Sequence, residues 1–250
     1  MIKVITIITK FIVATLIALL FSSCNKYGII VDRFGKSITG SGTITTENRA
    51  ANEDFKSIDV SYGIKVNVEQ SDTKSISVEA DDNLQKHIIT KIKNGVLIIE
   101  SDTNYNSTET PVVNVKMPVI NGLIASSGSE ITSFYALITD NINVKSSSGS
   151  QINIDVEADA ISLKSTSGSS IEASGKALKL ETSSSSGSEI NAEKLMANEV
   201  VSKTSSGSST AVYPIVKLEA KASSGSTISY HKIPKTISKE ESSGGSVNED

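Results

Sequence analysis

Along much of this chain apolar residues occupy every second position in short runs. Ile152, Ile154 and Val156 alternate with Asn153 and Asp155, and Ile142 and Val144 flank Asn143. That period of two predicts short β-strands with one face buried. A Ser-Gly pair punctuates the runs, its glycine recurring at Gly128, Gly149, Gly168, Gly187, Gly207, Gly225 and Gly244, with 18 to 21 residues between copies. Serine precedes every one of these glycines (Ser127, Ser148, Ser167, Ser186, Ser206, Ser224, Ser243). Three positions after the glycine stand Ile131, Ile152, Ile171, Ile190, Thr210, Ile228 and Val247. Seven positions before it, from the second copy on, stand Ile142, Ile161, Leu180, Val200, Leu218 and Ile237.

A unit of about 19 residues with two or three short strands cannot bury its own apolar face, so successive units must stack. Stacking sets each column residue over its counterpart at the strand spacing of about 4.8 Å. The expected fold is all-β: a right-handed parallel β-helix, or β-solenoid, with coils of about 19 residues and Ser-Gly corners along one edge. Glycine suits a corner that needs positive φ, and flanking serines can hydrogen-bond the turn. A leucine-rich repeat would need a Leu-x-x-Leu-x-Leu spine, and a left-handed hexapeptide helix would hold closer to multiples of six.

Residues 40–120 lack the Ser-Gly signature but keep the strand rhythm, at Ile58 and Val60, at Ile64, Val66 and Val68, at Ile76 and Val78, and at Val113, Val115 and Met117. They are expected to be degenerate N-terminal coils and a cap, with a separate β-domain as the alternative. Residues 121–250 form the repeat proper, ending in a polar tail from Lys239, with Pro214 and Pro234 marking departures from ladder pairing. On this count about 11 coils would make a rod of roughly 50 Å.

The first residues change the picture. Lys3 and Lys10 flank an apolar run from Phe11 to Phe21, which leads into Ser22-Ser23-Cys24. Residues 1–23 read as a secretory signal peptide, since the run is about half of the roughly 20 apolar residues a membrane span needs. Phe21-Ser22-Ser23-Cys24 resembles the lipobox of bacterial lipoproteins, with phenylalanine at its first position. Cys24 is then the acylated first residue of the exported chain, residues 24–39 a lipidated tether, and the only thiol is consumed. The expected location is the cell envelope, as an outer-membrane lipoprotein. Asn25-Lys26-Tyr27-Gly28 lacks the acidic run that resembles a surface-export signal, which favours the periplasmic face over the cell surface.

Several stretches resemble the bacterial auto-transporter adhesin family of the head GIN type, common in Bacteroidetes lipoproteins. They are Gly40-Ser41-Gly42, Phe55-Lys56-Ser57-Ile58-Asp59-Val60-Ser61, Val78-Glu79-Ala80-Asp81-Asp82-Asn83-Leu84, and the Ser-Gly-Ser-x-Ile-Asn units at Ser148 to Asn153 and Ser186 to Asn191. The similarity runs from about Gly40 to Val247. It implies a right-handed β-helix with an adhesive or scaffolding role, and it brings no catalytic residues.

Composition narrows the chemistry. Of 250 residues 38% are hydrophobic and 4% aromatic; the formal net charge is -4, and there are two histidines. A nucleic-acid partner is excluded, because no basic domain is present to release counterions from phosphates. Polysaccharide lyases and hydrolases need clustered carboxylates or calcium ligands beside a base. Here Asp155, Glu157, Asp159, Glu172, Glu189 and Glu193 occur mostly singly. Asp155, Glu157 and Asp159 would share a face, where a solvated edge outweighs a weak cation site. His87 and His231 lie far apart along the chain and leave the serines without a shared general base. No cofactor, metal site or catalytic set is expected. Lys145, Lys164, Lys203 and Lys221, four positions before their glycines and interrupted by Ser183, form a candidate ligand-facing stripe for anionic glycan; the competing reading is a solubilising face. The function expected is an envelope-anchored, non-enzymatic adhesin, binding or scaffold module. Its partners would be the membrane through the lipid anchor and a glycan or protein ligand. The alternatives are a polysaccharide-active β-helix enzyme and a self-assembling envelope scaffold; the residues leave the oligomeric state open.

Overall fold

A computed structural model describes residues 37–250, and Ile38–Asp250 form a compact unit with its own core. The signal peptide expected over residues 1–23 and the acylation expected at Cys24 fall outside the described residues. No described helix is long and apolar enough to cross a membrane.

The unit is a parallel β-solenoid. Four long bent strands, Gln151–Thr166, Ser170–Ser185, Glu189–Thr204 and Ser209–Ser223, each run from one Ser-Gly corner to the next. Their register brings like residues together as the repeat requires. Ile152 pairs with Ile171, Ile171 with Ile190, Ile190 with Thr210, Thr210 with Ile228, and Ile228 with Val247. The second column likewise stacks Ile142, Ile161, Leu180, Val200, Leu218 and Ile237. All but the terminal Ile237 are at most 3% exposed. The alternating residues face water, so the period of two is an inside–outside pattern.

The Ser-Gly array makes about seven turns. Two further windings lie at the N-terminal end, and they are not stacked in chain order. Ser57–Val60 and Lys65–Gln70 pair directly with Gly122–Ala125 and Glu130–Ser133, whereas the later segments Val96–Ser101 and Val112–Met117 pair on the outer side of that first winding. Each ladder therefore has nine levels, not 11, about 40 Å at strand spacing. The shortfall lies in Ile44–Arg49, Ser75–Asp81 and Ile88–Lys93, which pair antiparallel and make no winding. Asn94 and Gly95, at φ 52 and 75, reverse the chain in a two-residue hairpin between Lys93 and Val96. Ile76, Val78, Ala80 and Ile88 on these strands are buried in the core they cover.

The opposite end closes with charge. The polar tail from Lys239 is not a loose end: it belongs to the last winding, whose strands are Thr236–Ser242 and Ser246–Glu249. In the column Leu163, Thr182, Ser202, Ala220, the final member is Lys239, and beneath Ala222 stands Glu241. Lys239 donates to the Val247 carbonyl at 2.9 Å and its Nζ lies 4.6 Å from the Tyr230 ring centroid, while Val247 N donates to Glu241. Inward-pointing charge on an edge strand discourages pairing with another chain.

Candidate functional site

The corners explain why serine and glycine recur together. Each of the seven serines sits at φ 48 to 60 and its glycine at φ 68 to 77, so both central residues of the turn are left-handed. Serine carries part of the positive-φ demand that the sequence assigns to glycine alone. The turn closes with Ser150 N donating to Ser147 O, and successive corners are tied by Gly149 N to Ser167 O and Gly168 N to Ser186 O at 3.1 Å. The serines split by position. Those before the glycine are exposed; those after it, such as Ser150, Ser169 and Ser188, are 2 to 3% exposed. Ser188 Oγ donates to Ser165 O of the preceding winding at 2.7 Å and accepts from Ser185 N at 3.1 Å. The Ser150, Ser169 and Ser188 hydroxyls satisfy backbone groups and are closed to ligands.

Lys145, Lys164, Lys203 and Lys221 all face outward in one ladder column, with Ser183 between the second and third. The column ends on Glu240, which Lys221 engages at 2.5 Å, and this contact raises the lysine above its ordinary value. Lys217 and Glu219 pair at 2.6 Å beside it. The stripe is basic at Lys145 and Lys164 and neutralised toward the C-terminal end.

Asp155, Glu157 and Asp159 are all exposed, and Glu157 pairs with Lys176 at 3.4 Å. Glu172 faces Lys194 at 3.8 Å. Among the described residues no group of three or more His, Cys, Asp or Glu is placed to hold a metal ion. His87 hydrogen-bonds Asp102 at 2.8 Å near the N-terminal windings, while His231 meets Glu193 at 3.2 Å and Asp250 at 3.5 Å near the last. The structure does not bring the two histidines together.

Three features escape a reading of the repeat. First, Glu157 and Asp159 rim a lateral groove of about 610 Å³, floored by Ile138, Leu178, Met196 and Ile215, of which Ile138 is 67% and Leu178 53% exposed. Second, Asp81 is fully buried and accepts from Gly42 N at 2.7 Å and from Thr108 N and Oγ1 at 3.0 Å. Burial alone would raise its pKa; the hydrogen bonds outweigh burial and hold it below the ordinary carboxylate value. A Cβ on Gly40 would lie 2.3 Å from this carboxylate, so the Gly40-Ser41-Gly42 and Asp81-Asp82-Asn83 stretches form one structural clasp. Third, Tyr62-Gly63 is another corner, at φ 67 and 69, with Gly63 N donating to Ser127 O at 3.0 Å. Its signal lay in the frame, since Ile58, Val60, Val66 and Val68 hold the same offsets from Gly63 as core residues hold from the later glycines.

The fold and its regular outward columns define a parallel β-solenoid of the kind seen in several solved bacterial proteins. A putative adhesin from Bacteroides fragilis is 18% identical, superposes with a TM-score of 0.81, and is covered over 86% of this chain and 100% of its own. A putative adhesin from Parabacteroides merdae is 20% identical with a TM-score of 0.71, over 86% and 99% of the two chains. A putative lipid binding protein from Parabacteroides distasonis is 19% identical, also at 0.71, over 86% and 100%. No curated protein matches. The chain belongs to the family described as putative auto-transporter adhesin, head GIN domain, whose model matches residues 54–234. Family and neighbours carry the names of adhesins or lipid-binding proteins, not of enzymes.

Proposed function

We propose that the protein is an envelope-anchored, non-enzymatic binding module, held by acylated Cys24 and presenting the side of its solenoid to a glycan or protein ligand. The observation that supports this most is the surface itself. Interior positions are filled by stacked aliphatic and serine side chains, and outward positions repeat along the axis, as in Lys145 over Lys164. A periodic outward surface suits an elongated, repetitive ligand. Membership in an adhesin family agrees with an envelope-associated role. The anchor is tested by metabolic labelling with an alkyne fatty acid: the parent chain should carry label and sediment with membranes, and Cys24→Ser should lose both. Cleavage of the solenoid by added protease only after permeabilisation would agree with periplasmic display; cleavage on intact cells would place it on the surface.

A second reading rests on the lateral groove and on the neighbour named for lipid binding. Leu178 and Ile138 expose apolar surface in a concave site large enough for an aliphatic chain. Displacement of a fluorescent fatty acid from the parent chain, abolished in Leu178→Lys, would favour it over glycan binding.

A further inference from the structure

Eight stacked corners in this solenoid share one backbone shape, and seven of them place serine at the left-handed position before glycine. The remaining one places Tyr62 there. A bulky residue at φ 67 is uncommon, and strained backbone of this type concentrates at functional sites. The chain holds it firmly: Tyr105 Oη donates to the Tyr62 carbonyl at 2.6 Å. Burial pushes the Tyr105 hydroxyl up to about 12, so this donor keeps its proton across the physiological range.

Tyr62 is 48% exposed and borders a cavity of about 430 Å³. Around it stand Thr103, Asn104, Ser107, Thr110 and the exposed corner serine Ser127. Among the described residues no charged side chain lines the cavity. An exposed aromatic face ringed by hydroxyls and an amide, without charge, matches a molecule with apolar C–H faces and hydroxyl edges. Anions, cations and long aliphatic chains find no complement there.

We propose that the Tyr62 corner is a binding subsite for an uncharged sugar residue, which stacks on the Tyr62 ring and hydrogen-bonds the surrounding hydroxyls and Asn104. It deepens the binding-module reading by naming the ligand class, and it predicts that a bound glycan leaves the pocket along the exposed serines that begin at Ser127.

The test is saturation-transfer NMR on residues 25–250 with methyl glycosides of glucose, galactose, mannose and N-acetylglucosamine, and N-acetylneuraminic acid as the charged control. At least one neutral glycoside should receive saturation and shift the Tyr62 ring resonances. Tyr62→Ser restores the corner chemistry of the other seven windings and so should fold, yet weaken that binding about tenfold. Tyr62→Phe keeps the ring and should bind as the parent does. Absence of transfer to every neutral glycoside, or equal binding by Tyr62→Ser, would overturn the subsite. Binding of the charged sugar alone, lost on replacing Lys145 and Lys164, would also overturn it while leaving the broader binding-module reading standing.

Discussion

Ile171 stands in the middle of the stack, 1% exposed, with Ile152 on one side and Ile190 on the other, both fully buried. Ile171→Ala removes three carbon groups from that column. At about 0.8 kcal/mol for each, the lost transfer energy is roughly 2.4 kcal/mol. The neighbouring isoleucines are fixed by their own strand pairing and cannot close the gap, so a cavity of several tens of Å³ adds about 1.5 kcal/mol. The expected loss is near 4 kcal/mol. Glu172 is the next residue along the strand but faces water, and Glu172→Ala should change stability by less than about 0.5 kcal/mol. Guanidinium unfolding followed by circular dichroism reads both as midpoint shifts at constant slope. Equal midpoints for the two variants, or a loss under about 1 kcal/mol for Ile171→Ala, would refute the stacked column.

Other positions give equally direct outcomes. Gly175 adopts φ 117 and a Cβ there would sit 2.1 Å from the Val156 carbonyl, so Gly175→Ala should fail to yield soluble folded protein; Gly187→Ala meets nothing within 4 Å and should cost only the left-handed penalty of about 1 to 2 kcal/mol in thermal melts. Asp81 has a folded pKa below its unfolded value near 3.9, so its contribution is present above about pH 4 and lost as pH falls through the folded value; Asp81→Asn should lower the melting temperature at pH 7 and flatten the acid limb of the profile. Asp59 is raised, first by burial and then by Glu100, so the opposite sign holds, and Asp59→Asn should raise the melting temperature at pH 7. Replacing Lys239 and Glu241 together by valine would leave an apolar last winding, and sedimentation should then show association growing with concentration relative to the parent.

The repeat was legible because each winding spends the same residue type on the same offset, so Ile152, Ile171 and Ile190 announce their own stacking. The N-terminal order was not. Ile58 and Val60 or Leu97 and Ile99 could equally stack on Leu123 and Ala125, since all are interchangeable apolar alternations; the reversal at Asn94-Gly95 decides which does. That dipeptide is a strong hairpin signal, but it stands outside the Ser-Gly period. Lys239 and Glu241 contradict alternation because an end winding has an inner face without a neighbour. Glycine spacing located every repeat corner but could not say which serines turn inward, because inner and outer ones differ only by their place around a two-residue turn. The groove at Ile138 and Leu178 and the pocket at Tyr62 depend on windings that meet only in three dimensions.

A binding module of the kind proposed holds its ligand without transforming it. Residues 25–250 incubated with immobilised mucin and with envelope polysaccharide can be followed by biolayer interferometry while the same samples are assayed for new reducing ends and for unsaturated products. Saturable retention on at least one of these surfaces is expected, with product at the no-protein background. Product that accumulates with time and protein concentration, or retention on neither surface, would contradict it.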